Sequence, residues 1–385
     1  MFHKLASLDL ARGVIGSTVF SSPPVVSVPV YSAVGRVCAV DVRSPVSVPF
    51  RPVAAMDGFA VRVSDGVRFR VVGAVRAGVE PPVLGFGEAY FVEMGAPLPI
   101  GADAVARVEA SRVEGGYVEP LEPLRPGKDV MPVGEVVGEG ELIAVRGEVL
   151  SPYKVALMLM AGVREVKVYD FRVTVYSVGG ELDRFDEPRG KPVIDSFAPM
   201  VMGLLKFARV KYGGVLNDDV GEIAGALESS LGDSDIIVTI GGASVGETDN
   251  VKMAASKVGK LLFPGVSASI LKRGAVAVAD GKAIVMLPGQ CVSAALVLHE
   301  HLLHVASKMA GGELREYVEA ELAETLEVKH RMDTAYLFKL ESGKAKPLKW
   351  GVNLCGELAK ADAFTVLKRG VHEKGEKLIL QKLIK

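Results

Sequence analysis

Along the first 170 residues the apolar positions fall in short runs rich in Val, broken by turn residues. Val25–Val30, Val37–Val42, Arg68–Val75 and Glu88–Met94 read as strands, with Gly85-Phe86-Gly87 and Gly115-Gly116 as punctuation. Such a pattern predicts small β-rich modules rather than a doubly wound sheet. Pro152–Ala161 has helical character and returns the chain.

From Phe171 the texture changes. Strands are predicted at Arg172–Tyr176, Val210–Leu216 and Asp235–Ile240, and helices at Ser196–Ala208, Val220–Leu231 and Asp249–Val258. Two short strands, Ala275–Ala279 and Ala283–Leu287, precede a long helix over Val292–Lys308. Strands alternating with helices imply an α/β domain with a largely parallel sheet. Ligands of such sheets bind beyond the carboxyl ends of the strands. Gly311-Gly312 marks a boundary, after which Tyr317–Val328, Thr334–Glu341 and Lys377–Ile384 read as strands of a small β domain.

Length and charge narrow the class. A chain of 385 residues is too long for one core and suggests two to four domains. A net charge of −1 leaves no nucleic-acid footprint, so any anionic substrate must be held by a local site. Cys38, Cys291 and Cys355 are far apart and form no CxxC pair. That spacing argues against a disulfide framework or a structural zinc and points to a reducing cytoplasm. Met1–Ser22 lacks the pattern of a signal peptide, and no uncharged apolar run reaches the roughly 18 residues a membrane span needs. Only three Asn and two Gln occur, a shortage that suggests a hot habitat.

The most informative loop is DIIVTIGGASVGETDNVK, residues 235–252. A buried strand runs into Gly241 and Gly242, then Ser244, Gly246 and Asp249 lead into a helix carrying Lys252. Glycines let a backbone approach an oxyanion, and Asp249 sits where a divalent cation could bridge it to phosphate oxygens. The plainer alternative is that Asp249 or Thr248 caps the helix. LPGQCVS, residues 287–293, is a second strand-to-helix loop, with Pro288 and Gly289 fixing the turn and Ser293 in the first helical turn; ordinary capping would explain it equally well. Glu181 and Asp218 follow two further strands of the same domain. Carboxylates gathered at one sheet edge suit a hard cation, although an Asp at a helix start is usually a cap. Asp57 stands in AAMDGFAV, which reads first as a tight exposed turn.

Two features look functional without being so. His299, Glu300, His301 and His304 crowd one helix, but the spacing is not HExxH and no third ligand is near, so a surface or packing role is expected. The charged tail Arg369–Lys385 reads as a solvated strand and turn.

Taken together, these segments resemble the molybdopterin molybdenumtransferases of the MoeA type, a family also represented in the C-terminal part of gephyrin. The resemblance runs from about Val28 to the C-terminus. VYSAVGRVCAVDVRSPVSVPFRPVAAMDGFAV is similar to the family's entry segment with its SAMDGYA signature. MGAPLPIGADAVARVE and GKDVMPVGEVVGEGELI follow in family order. VYSVGGEL resembles the STGDEL loop, GGASVGETDNVK the GGVSVG-x-x-D loop, and LPGQCVSA the segment LPGNPVSA. GELAKADAFTVLKRG and EKGEKLIL resemble the final β domain.

The resemblance implies a multi-domain α+β subunit. A central α/β molybdopterin-binding domain with a parallel sheet would occupy 169–312, with a helix within 1–20 packed against it. The flanking β-rich modules would comprise 21–41 with 138–168, and an inserted module over 42–137 carrying Asp57. A small C-terminal β domain would fill 313–385. The implied reaction inserts molybdate or tungstate into adenylated molybdopterin and releases AMP, with Mg2+ or another divalent cation. Asp218 and Asp249 match acids suited to the cation. Asp57 and Glu181 match acids placed around the cleft. Gly241, Gly242, Ser244, Gly246, Lys252, Pro288 and Gly289 match substrate-binding positions, and Lys272 and Ser293 could hold the oxyanion. A cytoplasmic homodimer is implied, with a MogA-type adenylating protein as partner and neither nucleic acid nor membrane.

The departures are specific. Ser269 replaces the first lysine of the family's KPGKP segment, PGNP becomes Pro288-Gly289-Gln290-Cys291, and Val178 and Gly180 replace Thr and Asp of STGDEL. Phe197 replaces an Asn, and Met94 a Thr. A paralogue that binds molybdopterin or a nucleotide without inserting metal therefore stands as the alternative, and an enzyme acting on another nucleotide or pterin as a third reading.

Overall fold

The computed structural model describes residues 5–242 and 249–385. Helix α1 (Leu8–Ser17) is capped by the Ser7 hydroxyl, which accepts from the Leu10 amide. The β-rich part that follows folds on itself. Val25–Pro29 pairs antiparallel with Glu165–Tyr169, which also pairs with Val37–Cys38, so the first strand of this layer meets its partner only after the chain returns through helix α2 (Pro152–Met160). Between them lies a six-stranded sheet in which Gly58–Val61 sits between Ala104–Arg107 and Glu88–Val92.

The central sheet has six strands, numbered here β1 (Arg172–Val178), β2 (Arg209–Leu216), β3 (Ile236–Gly241), β4 (Lys260–Phe263), β5 (Ala275–Ala279) and β6 (Lys282–Leu287). Their order is β2-β1-β3-β6-β5-β4. β2, β1, β3 and β6 run parallel, whereas β5 and β4 are antiparallel additions. Both faces are covered, which is why β3 reads as a mostly apolar run, broken by the buried Thr239. Ile236, Val238 and Ile240 join one core with Ala11 and Ile15 of α1, helix α3 (Phe197–Leu204) and the helical stretch after β6. Ile237 points the other way, into a core with helices α4 (Val220–Ser230) and α5 (Asn250–Val258). Among the described residues no helix is long and apolar enough to cross a membrane.

The helical stretch after β6 consists of α6 (Cys291–Val297), a π-helical turn over Leu298–Leu302, and α7 (Leu303–Ala310). Its histidines work in packing. The His299 Nδ1 bonds the Ala295 carbonyl at 2.7 Å, and its Nε2 accepts the Ile384 amide at 2.9 Å. Gln381 donates to the His299 carbonyl, so this turn fastens the C-terminal strand. Glu300 is buried against a two-pronged contact from Arg12 of α1, at 2.6 and 2.9 Å. Burial pushes the pKa values of His299 and His301 down to about 4.

These depressed values fix the sign of a pH effect. The unfolded chain binds protons on both rings as the pH falls below their ordinary range, while the folded chain refuses them, so stability is complete above about pH 6.5 and declines toward pH 4. We expect a loss of about 1–2 kcal/mol per histidine by pH 5, before the carboxylates contribute fully. Chemical denaturation from pH 7 to 5 measures it. His301→Leu, which removes a ring whose nitrogens have no hydrogen-bond partner among the described residues, should flatten the slope; an unchanged slope would assign the effect elsewhere.

The C-terminal region is a small barrel. Asp333–Glu341, Lys344–Pro347, Tyr317–Leu322, Lys377–Lys382 and Ala363–Leu367 pair in succession, and the first and last also pair with each other. A sixth strand, Ala268–Ser269, comes from the central domain and pairs with Asp333–Thr334. The long strand expected over Tyr317–Val328 is interrupted after Leu322, and Leu326–Val328 pairs instead with Gly370–His372. One expectation is overturned: Cys291 and Cys355 form a disulfide. They are 64 positions apart in sequence, but the Val292 amide donates to the Val352 carbonyl and seats the start of helix α8 (Cys355–Lys360) on that of α6.

Candidate functional site

A cleft of about 640 Å3 opens beyond the carboxyl ends of β1, β3 and β6. β3 lies at the middle of the parallel strands, and its Gly241-Gly242 end forms the floor. Gly241 has φ 89°, and a Cβ there would sit 2.6 Å from the Val178 carbonyl oxygen. Gly242 has φ 61°, and a Cβ would strike Val251 and Val178 within 3 Å. Both positions therefore require glycine, for conformation and for space. A Cβ on Gly289 would stand 3.2 Å from the Gly241 Cα, so the loops after β3 and β6 are in near contact.

Glu181 and Asp218 line the cleft. The sequence Asn217-Asp218-Asp219 divides its duties. Asp219 is the helix cap, accepting from the Glu222 amide at 2.8 Å. Asn217 donates to the Glu222 carboxylate. Asp218 is left exposed in the cleft, and the Asn250 side chain donates to its carbonyl at 2.7 Å, bringing the start of α5 to it.

Asp249 is differently employed. It caps α5, accepting the Lys252 amide at 3.0 Å, and its second oxygen lies 2.7 Å from the Lys252 ammonium. Both side chains are buried and neither lines the cleft. Ser244 and Gly246 lie outside the described residues. Asp57 is exposed in the inserted module, accepts the Met94 amide at 2.7 Å, and does not reach the cleft of its own chain.

On the other wall, Gly289 lines the cleft while Pro288 and Lys272 do not. Ser293 is buried in the first turn of α6, its hydroxyl without a hydrogen-bond partner among the described residues. Ser269 is buried in the strand it lends to the barrel.

Several lining residues escaped the sequence reading. Asp195 is buried, receives the Tyr212 hydroxyl at 2.8 Å and the Ala198 amide at 3.1 Å, and so starts α3 while closing one wall. Burial, followed by this hydrogen bond, raises the Tyr212 pKa. Arg273 lines the cleft one position beyond the lysine that the motif had indicated. The signal for Arg273 was present as a charge next to Lys272, but its direction depends on the strand that follows. Among the described residues no group of three His, Cys, Asp or Glu side chains converges as a metal cage. A magnesium ion needs fewer, since it commonly takes one or two carboxylates and completes its shell with water and substrate phosphate. Asp218 fits that requirement; Asp249 fits it only by giving up Lys252.

The family model for the MoeA N-terminal region, domains I and II, matches residues 6–162, and that for a probable molybdopterin binding domain matches residues 174–308. The molybdopterin molybdenumtransferase of Haemophilus influenzae is 31% identical, over 72% of this chain and 71% of its own. Molybdopterin molybdenumtransferase 2 of Mycobacterium tuberculosis is 31% identical, over 74% and 75%. Two crystal structures of the molybdopterin biosynthesis MoeA protein from Pyrococcus horikoshii superpose with TM-scores of 0.74 and 0.72, at 27% and 25% identity, covering 99% and 98% of this chain and 100% of each of theirs. With its fold and both halves of its architecture matched in this way, the chain belongs to the molybdopterin molybdenumtransferase family and is a transferase of molybdenum cofactor biosynthesis.

Proposed function

We propose that this enzyme inserts molybdate, or tungstate, into adenylated molybdopterin with release of AMP. The observation that carries the reading is the cleft at the carboxyl end of the parallel strands, where a glycine floor faces three acids and, among the described lining residues, one guanidinium. A phosphoanhydride is anionic and needs fixed donors or a cation while its P–O bond breaks. Asp218 would hold a divalent ion such as Mg2+, which would supply charge for the leaving phosphate. Glycines 241 and 242 would let the substrate approach the backbone, and Glu181 would border the bound pterin. The division of the chain at 41/42, 137/138, 168/169 and 312/313 belongs to this reading, as does work in the cytoplasm beside a MogA-type adenylating partner. Shortage of Asn and Gln, together with a disulfide, suits a source from a hot habitat.

Adding adenylated molybdopterin with molybdate or tungstate and following AMP tests the reaction. Oxyanion-dependent AMP release is the expected result; pterin binding without release would favour the silent paralogue, which the departures at Ser269, Gln290, Cys291 and Phe197 support. The placement of Asp57 favours a homodimer in which that residue serves the partner's cleft. Mixing inactive Asp57→Asn and Asp218→Asn chains should restore activity to about a quarter, the fraction of clefts that random pairing leaves intact. A monomer in solution with full activity would end that part of the proposal.

A further inference from the structure

The cleft that receives an anionic substrate is itself acidic. Glu181, Asp195 and Asp218 line it, and among its described lining residues the only cation is Arg273. Two other cations of the domain are engaged, Lys252 with Asp249 and Lys191 with the Gly180 carbonyl, and Lys272 does not line the cleft. Arg273 is half-buried and makes no ion pair among the described residues. The backbone explains why it, rather than its neighbours, faces the cleft. Ser269 is pulled away into the strand that pairs with Thr334. The chain then turns at Ile270, φ 74°, and enters β5, whose antiparallel register sets Ala275 against Met286. Between the two, Arg273 stands in a turn in which the Gly274 amide donates to the Leu271 carbonyl, and it lines the cleft together with Gly289 and Gln290.

A second observation is independent of the charge. Ser177 lines the same cleft, is fully buried, and its hydroxyl has no hydrogen-bond partner among the described residues. The Ser293 hydroxyl, one helical turn before the Val297 side chain that packs on Gly274, is buried and partnerless in the same sense. Buried hydroxyls are normally satisfied, so an orphan facing a cleft marks a place where a ligand completes the bonding.

We infer that Arg273 is the side chain by which this cleft grips a tetrahedral oxyanion, supplying the charge that position 269 lacks. The inference rests on the transferase reading only for the identity of that oxyanion, which is either the phosphoryl group of the pterin substrate or the metal oxyanion. A guanidinium presents a planar fork that bonds two oxygens at once, whereas an ammonium is a point charge. Arg273 therefore substitutes for a lysine with different geometry, and a lysine at 273 should replace it only in part.

Calorimetry on the full chain tests this with molybdate, tungstate and inorganic phosphate as separate probes, on wild type, Arg273→Gln and Arg273→Lys. The expected result is binding that weakens about tenfold or more in the Gln variant and less in the Lys variant, with unchanged melting temperatures. Loss for phosphate alone would assign Arg273 to the phosphoryl group, and loss for molybdate and tungstate alone to the metal oxyanion; either supports the inference. Equal binding by wild type and Arg273→Gln, or no binding of any probe by wild type, would overturn it. AMP release is scored separately. Arg273-dependent binding without turnover defeats the transferase reading and keeps the inference, and turnover untouched by Arg273→Gln does the reverse.

Discussion

Arg12→Ala should destabilise the protein by about 3 kcal/mol, because it strips a buried carboxylate of its partner. The Glu300 side chain is 1% exposed, on the π-helical turn, and both its oxygens are held by the Arg12 guanidinium. The hydrogen bond to Glu300 is the largest influence raising the Arg12 pKa, and burial works against it. Arg12 itself is 41% exposed, which places the expected loss at the low end for a broken buried pair. Glu300 has nowhere to turn: its turn is packed between β6 and the barrel's last strand. Thermal unfolding at pH 7 should show the melting temperature lowered by roughly 5–10 °C. The double variant Arg12→Leu with Glu300→Leu should recover most of the loss, since removing both charges is far cheaper than leaving one. An Arg12→Ala melting temperature within a degree of wild type would mean that water or a proton satisfies Glu300.

The second large effect separates two acids that look equivalent in the sequence. Asp218→Asn should lower AMP release at least roughly tenfold while leaving stability unchanged, since its carboxylate is exposed in the cleft and supports no helix. Asp249→Asn should lower both. It removes the charge that faces the buried Lys252 ammonium at 2.7 Å and weakens the cap of α5, together a loss of about 2–4 kcal/mol. AMP assays beside melting curves for the two variants decide the matter. If Asp249→Asn melts like wild type yet is inactive, Asp249 acts directly on a cation; if Asp218→Asn turns over normally, the cleft acid is a bystander.

Those contrasting roles show what a sequence can carry. The parallel strands were legible because strands covered on both faces are mostly apolar, as Ile236–Ile240 is apart from Thr239. Glycines 241 and 242 were legible because few other residues tolerate their backbone angles and crowding. The direction of a side chain is another matter. Asp218, Asp219 and Asp249 all follow strands, but which one caps a helix and which faces the cleft depends on hydrogen bonds from Glu222, Lys252 and Asn250. Arg273 was passed over for Lys272 because both stand in a turn between two strands, where no alternation of faces tells which side chain meets the cleft. Lys344–Pro347 closes a hairpin on Asp333–Glu341 across Ser342-Gly343, a local signal, whereas Ala363–Leu367 is a short barrel strand whose partners lie elsewhere in the chain, and no local pattern announces that closing pair. The disulfide was missed for the same reason, since only folding brings Cys291 to Cys355.

The strand Ala268–Ser269 carries a consequence for how such a chain can be cut or exchanged. It leaves the central domain, completes the barrel's edge along Asp333–Thr334, and returns to β5. A recombinant barrel begun after Gly312 would display that bare edge to solvent, with unpaired amides and carbonyls that invite another chain. A central domain ended at Gly312 would carry a tongue with nothing to bind. The Gly311-Gly312 hinge is thus a seam in the primary structure but not a place to splice. Chimeras with a relative's barrel should assemble only when residues 266–273 travel with it, so that the graft and its docking strand come from one parent.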